Sequence, residues 1–256
     1  MHIGVPTEIK SQEYRVGLSP DSVKALTNAG HRVFIQTNAG LASGFSNEDY
    51  KDLGAIILDS LEEIYSTSDM VVKVKEPMAK ESALLRENQI LFTYLHLAAS
   101  AELTQSLLDS NSICIAYETV TDIDGKLPLL VPMSEIAGRL SVQAGAHTLE
   151  KPQKGRGVLL GGVSGIPPGK VLILGGGTVG ENAAEIALGM QAEVSIVDRS
   201  QERLDELQKK FEGNLITLNS EKIVLEEHVK DCDLLIGAVL IPGGNAPKLI
   251  SRKMVS

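Results

Sequence analysis

From the amino terminus, short runs of β-branched and aromatic residues alternate with segments whose apolar positions recur at helical spacing, which predicts an α/β chain with largely parallel sheet. The predicted strands are residues 3–5, 32–35, 55–58, 70–74, 90–95 and 113–117. Helical patterns fall between them at 47–53, 61–65, 79–86 and 101–108, and a further one starts at Ser19-Pro20, an N-cap followed by an N1 proline, and stops at Gly30. Farther on, Ser134 is placed to cap a long helix running through Ile136, Leu140 and Leu149, with Glu135 in its first turn; we expect this helix to link two domains. Residues 150–169 hold six glycines and three prolines, too many for regular structure, and read as a loop at a cleft.

The pattern then resumes with strand 170–174, a glycine turn, helix 181–190, strand 193–197 ending at Asp198, and apolar runs at 215–218 and 234–239, with a helix expected to follow toward Ser256. A doubly wound dinucleotide domain usually has two more strands, so this half reads as incomplete at its carboxyl end.

Composition narrows the class. With 256 residues, 43% hydrophobic and 22% charged, the chain can bury a sizeable core and holds one or two domains at about 150 residues each. The 24 Lys and Arg against 33 Asp and Glu give a net charge of -9; together with the absence of Trp and only 4% aromatic residues, this argues against a nucleic-acid partner. No run approaches the ~20 apolar residues of a membrane helix, and Met1-His2-Ile3-Gly4 does not open a signal peptide, so a cytoplasmic protein is expected. Two distant cysteines, Cys114 and Cys232, suit a reducing compartment. No Cys, His and Asp spacing suggests a metal site.

Gly175, Gly177 and Gly180 form a G-x-G-x-x-G turn between a buried-type strand and a helix, and about 20 residues later Asp198 ends the next strand. Each glycine has its own reason: the tight turn, the approach of backbone to a pyrophosphate, and helix-to-sheet packing. An anion would then sit on the helix N-terminus. Asp198 would accept hydrogen bonds from an adenosine ribose, which favours NAD over NADP. Arg199 and Arg203 soften that preference, unless they are solvated charges on a helix face. In the first half, Lys75 and His96 each follow a predicted strand directly, at the carboxyl end where open α/β sheets bind ligands. An imidazole there can donate a proton near neutral pH, although a packed structural histidine is an equal reading. Arg15, taken alone, reads more simply as a surface charge.

Together the segments Gly4-Val5-Pro6-Thr7-Glu8-Ile9-Lys10, Glu13-Tyr14-Arg15-Val16-Gly17-Leu18, Val72-Lys73-Val74-Lys75-Glu76-Pro77, Tyr94-Leu95-His96-Leu97-Ala98, Pro132-Met133-Ser134-Glu135-Ile136-Ala137-Gly138 and the glycine turn closely resemble the bacterial L-alanine dehydrogenase family, in order and over the whole chain. The resemblance implies NAD-dependent, reversible oxidative deamination of L-alanine to pyruvate and ammonium by a homo-oligomer, a hexamer or dimer. It implies that Arg15 and Lys75 bind the substrate's carboxylate and carbonyl side and that His96 acts in acid–base chemistry. Ser134, Thr178, Val179, Asp198, Arg203, Ser220, Val239 and Leu240 would contact NAD, beside the turn glycines, with Met133 and Glu118 as supporting groups. For Glu118 a purely structural role is an equal reading. The family pattern also carries further strands and a catalytic aspartate past Ser251, so a C-terminally truncated member is expected.

The expected fold is thus two doubly wound α/β domains: a flavodoxin-like substrate domain, residues 1–132, and a Rossmann NAD-binding domain, residues 133–256, incomplete at its end. The alternative is a non-catalytic NAD-binding module related to the NAD-binding subunit of proton-translocating transhydrogenase, which exchanges hydride with a partner protein.

Overall fold

Strands β1 (His2–Val5), β2 (Arg32–Gln36), β3 (Ile56–Leu58), β4 (Met70–Val72), β5 (Ile90–Thr93) and β6 (Ile113–Ala116) form one parallel sheet in the order β3-β2-β1-β4-β5-β6. The computed structural model describes residues 1–221, 223–241, 244 and 246–254. The chain divides into two compact units, Met1–Leu127 and Pro128–Ser256.

In the first unit, helices α1 (Pro20–Asn28), α2 (Asn47–Lys51), α3 (Leu61–Thr67), α4 (Ala79–Ser82) and α5 (Ala101–Asp109) connect the strands. The short edge strand β3 adds to the five-strand flavodoxin-like order and gives 3-2-1-4-5-6. Alternate residues of β2 feed opposite faces: Val33 and Ile35 join Val5 and Val23 on one side, whereas Phe34 joins Ile64, Val71 and Leu91 on the other. Both faces are covered, which is why these strands read as continuous apolar runs. Serines start α1, α2 and α3, of which the sequence reading named Ser19. Ser19 accepts the Ser22 N–H ahead of Pro20, and Ser46 with Asp49 and Ser60 with Glu63 make reciprocal capping boxes.

The second unit contains β7 (Lys170–Leu174), β8 (Glu193–Asp198), β9 (Ile216–Asn219) and β10 (Leu234–Gly237), parallel in the order β10-β7-β8-β9. Its helices are α6 (Val131–Thr148), α7 (Thr178–Gly189), α8 (Gln201–Lys210) and α9 (Leu225–Asp231). This is the 3-2-1-4 part of a doubly wound sheet, and in both units the strand order reverses beside the first strand.

Several element limits differ from the sequence reading. Helix α6 begins at Val131, because Pro132 fits its first turn; Ser134 therefore sits inside the helix, its N–H donating to Leu130 O at 3.0 Å, and caps nothing. Helix α7 starts at Thr178, directly after the glycine turn, and α4 is a single turn that ends at Ser82. Strands β4 and β5 end at Val72 and Thr93 although the apolar runs continue; their pairing persists for one residue more, the Lys73 N–H donating to Phe92 O at 3.1 Å and the Tyr94 N–H to Val74 O at 3.3 Å, before the chain leaves the sheet as loops. After β10 the described residues form only a 3-10 turn, Arg252–Met254, where a helix was expected; Val255 and Ser256 lie outside them. No helix among the described residues is long and apolar enough to cross a membrane.

Candidate functional site

The second unit builds its site from backbone. Gly175 leaves β7 with a φ of 105°, and a Cβ there would lie 2.8 Å from Ala238 O. A Cβ on Gly180 would fall 1.8 Å from Gly175 O, so the first turn of α7 seats directly on the glycine turn. Gly177 is the N-cap of α7 and has nothing within 4 Å of its Cβ position: it faces open space at the N-terminus of a helix. That space is a cleft of about 740 Å³ in which Ser134, Gly175, Gly177, Thr178, Val179, Asp198, Ser220, Val239 and Leu240 all line the wall.

Two predicted contacts do not reach it. Gly180 is spent on packing against Gly175, and Arg203 lies behind the turn. Its Nε donates to Gly176 O at 2.7 Å and its guanidinium pairs with Glu181 and Glu206, so it is neither a cleft residue nor a solvated helix-face charge. Asp198 braces the same turn while facing the cleft, Oδ2 accepting the Gly176 N–H at 2.6 Å and Oδ1 the Ser200 N–H at 2.9 Å. Each oxygen keeps a second lone pair. Arg199 lines the cleft beside it. The apolar wall of Ile223, Leu225, Ile241, Pro247 and Leu249 carried no sequence signal. Leu174, Val197 and Ala238 were findable, since they close the carboxyl ends of strands. The glycine-rich segment 150–169 contributes nothing to this cleft. Arg156 pairs with Asp233 at 2.8 Å and Gly169 donates to Leu160 O, which fixes the segment at the amino ends of β7 and β10, the opposite edge of the sheet.

The first unit builds its candidate site from side chains at the carboxyl ends of β4 and β5. Gly17 allows the segment that carries Arg15 to lie on the end of β4, where a Cβ would come within 2.6 Å of Val72 O. Glu13 grips Arg15 on one edge, Oε1 accepting from Nε at 2.8 Å and Oε2 from a terminal nitrogen at 2.6 Å. This bond holds the Glu13 carboxyl down at about 2, and the charge of Lys75 acts more weakly in the same direction. The half-buried Lys75 makes no side-chain hydrogen bond or ion pair among the described residues, while its carbonyl accepts from Thr93 Oγ1 at 2.9 Å.

His96 is exposed and held in the left-handed region, φ 50° and ψ 37°, a costly conformation for a residue with a Cβ. Glu118 secures it, its carboxylate accepting the His96 N–H at 2.6 Å and the Leu95 N–H at 3.0 Å. The ring stacks on Tyr94 at 6.0 Å, and Tyr94 meets Tyr117 edge-on at 5.0 Å. Tyr117 is pushed up by burial and stays a neutral packing partner. Beneath the strand ends lies a buried group that the sequence reading missed: Lys73 between Glu8 and Glu81. Its only signal was a lysine between two valines in a buried strand.

Residues 4–137 match the family model of the alanine dehydrogenase/PNT N-terminal domain, and residues 141–256 that of the C-terminal domain. The alanine dehydrogenase of Halomonas elongata is 52% identical over 256 residues, covering all of this chain and 69% of its own length. That of Staphylococcus epidermidis is 53% identical over 255 residues, with 68% of its length covered. A solved L-alanine dehydrogenase is similar with a TM-score of 0.89 at 54% identity, over 100% of this chain and 70% of that one. A transhydrogenase from Sinorhizobium meliloti reaches a TM-score of 0.82 at 23% identity, over 100% of this chain and 74% of that one, a likeness of fold alone.

Proposed function

The chain belongs to the alanine dehydrogenase/PNT family, and from that premise we propose that it catalyses the NAD-dependent, reversible conversion of L-alanine and water to pyruvate and ammonium. The observation that carries this reading is the trio Arg15, Lys75 and His96, gathered at the carboxyl ends of one parallel sheet in a chain about half identical throughout to named alanine dehydrogenases. A transhydrogenase-like module that lacks substrate chemistry has no need of such a trio.

Arg15 offers a planar fork, already oriented by Glu13, for the substrate carboxylate. Lys75 sets a compact positive charge beside the carbonyl or hemiaminal oxygen. His96 exchanges the proton as water adds to the imine carbon and again as the hemiaminal collapses and ammonia leaves. When bound, NAD supplies the acceptor for the hydride that leaves Cα.

The second unit supports a dinucleotide by its open Gly177, its helix N-terminus, its apolar walls and the Asp198 carboxylate, which disfavours a 2'-phosphate. We place the enzyme in the cytoplasm as a homo-oligomer. The apolar edge strand β6, with Ile113 48% and Ile115 38% exposed, supports association, and sedimentation velocity reads it.

Calorimetric titration with NAD, repeated with pyruvate and followed by an assay for alanine-dependent NADH formation, tests the proposal. NAD binding and a pyruvate-dependent rise in Tm are expected. NAD binding without any response to alanine or pyruvate would overturn the dehydrogenase and leave the nucleotide module.

A further inference from the structure

The Lys73 side chain is fully buried, and its ammonium donates to Glu8 Oε2 at 3.1 Å and to Glu81 Oε1 at 2.6 Å; those two side chains are 2% and 0% exposed. Burying three ions costs more than their attraction returns unless the remaining lone pairs also find partners. The spare oxygens therefore show what the network holds. Glu81 Oε2 accepts the Met78 N–H at 2.8 Å and serves the N-terminus of α4. Glu8 Oε1 accepts the Val74 N–H at 2.6 Å and, at longer reach, the Lys75 N–H at 3.4 Å.

A strand continuing past β4 would put Lys73 and Lys75 on the same face. Instead the chain bends at Val74, so that Lys73 is sealed inside and Lys75 is half-exposed. The bend falls where Glu8, arriving from the end of β1, meets two successive backbone N–H groups. These strand ends flank the point at which the strand order of the sheet reverses. With Thr93 Oγ1 donating to Lys75 O, the Lys75 backbone is gripped at both ends while its ammonium is left to a ligand.

We propose that Glu8 is a positioning residue for Lys75: anchored by Lys73, its carboxylate clamps the Val74–Lys75 backbone and presents the Lys75 ammonium to the oxygen of a 2-oxo acid. The inference rests on the reading of Lys75 as a substrate-binding residue. A charge-assisted bond to a backbone N–H is short and strong, so the clamp fixes the root of a flexible four-carbon side chain and lowers what must be ordered on binding. Tyr65 is kept protonated by burial and by the charges of Glu81 and Glu8, and its buried hydroxyl has no hydrogen-bond partner among the described residues, so it takes no share of Lys73.

The test compares Glu8→Gln, Glu8→Asp and Glu81→Gln in the whole chain, by amide hydrogen exchange over residues 70–78 and by pyruvate binding in the presence of NADH. An amide turned toward the Lys73 ammonium cannot also serve both partners, and aspartate keeps the charge but falls short of Val74. Exchange at Val74 and Lys75 should quicken about tenfold or more in Glu8→Gln, as expected for losing a hydrogen bond to a charged group. Pyruvate affinity should fall while NAD affinity is unchanged. Glu81→Gln should lower Tm and leave both readouts at Lys75 alone. If Glu8→Gln does not fold, the milder Glu8→Asp carries the same expectation. Unchanged exchange at Val74 in a folded Glu8 variant would overturn the clamp, as would equal changes in the Glu8 and Glu81 variants, which would make the network merely structural. A Lys75→Ala chain that still binds pyruvate normally would instead sink the reading of Lys75, since the exchange at Val74 reports the clamp independently.

Discussion

Both units are parallel, doubly wound sheets whose candidate sites lie at the carboxyl ends of strands next to the reversal in strand order, yet they build these candidate sites from different material. The second unit uses the main chain: a glycine at positive φ, a helix N-terminus, and Asp198 and Arg203 bonded to the backbone of Gly176. The first unit uses side chains, Arg15, Lys75 and His96, held by carboxylates that are themselves tied to backbone N–H groups or to buried charge. A site made of backbone fails when a side chain is added. A site made of side chains fails when a charge is taken away. The same fold can therefore have opposite sensitivities at equivalent places.

The largest break of this contrast comes from Lys73→Met. It strands two buried carboxylates and should cost about 3–5 kcal/mol in chemical denaturation. NAD affinity measured under native conditions should not change, because the glycine turn has no stake in that charge. The reciprocal change, Gly180→Ala, drives a Cβ into Gly175 O. It should cost about 1–3 kcal/mol and abolish NAD binding by calorimetry, and NAD binding unchanged from wild type would refute the backbone account of the turn. In Glu118→Ala two N–H groups lose their acceptor and His96 loses its hold in the left-handed region. We expect about 1 kcal/mol of stability to go, and a fall in kcat/KM larger than the fall in pyruvate affinity. The smallest effect belongs to the Glu13–Arg15 pair. Glu13 has its carboxyl depressed from 4.5 to about 2, so the contribution of the pair is complete above 4.5 and is lost as pH drops toward 2. Because Arg15 is half exposed, an acid titration of Tm should show at most about 1 kcal/mol in that window, absent from Arg15→Ala.

The two units were also unequally legible. The turn at Gly175, the strand preceding it and Asp198 could be read from spacing alone, since glycine is required where a Cβ meets backbone within two or three ångströms. Strand existence was equally plain, because β4 and β5 are buried on both faces, but their ends were not. Lys73-Val74 and Tyr94-Leu95 are as apolar in pattern as the strands they follow, and only the partners supplied by Glu8 and Glu118 show where the ladder stops. Arg203 illustrates the converse: the family resemblance implied a contact with the cofactor, whereas the ion pairs of α7 and α8 hold it behind the turn.

Alone, the sequence determined the α/β class and the glycine turn, since these follow from local periodicity and local sterics, whereas Arg15, Lys75 and His96 stood together as candidates only through the family resemblance. The tertiary structure decided which of those residues reach a cleft, where the strands end, and that Glu8, Lys73 and Glu81 share one buried site. Those outcomes depend on contacts that no local pattern encodes, 65 and 66 positions apart for Glu8 with Lys73 and Val74 and 23 and 22 for Glu118 with Leu95 and His96, and a buried charge is tolerated only once its partners have been brought to it.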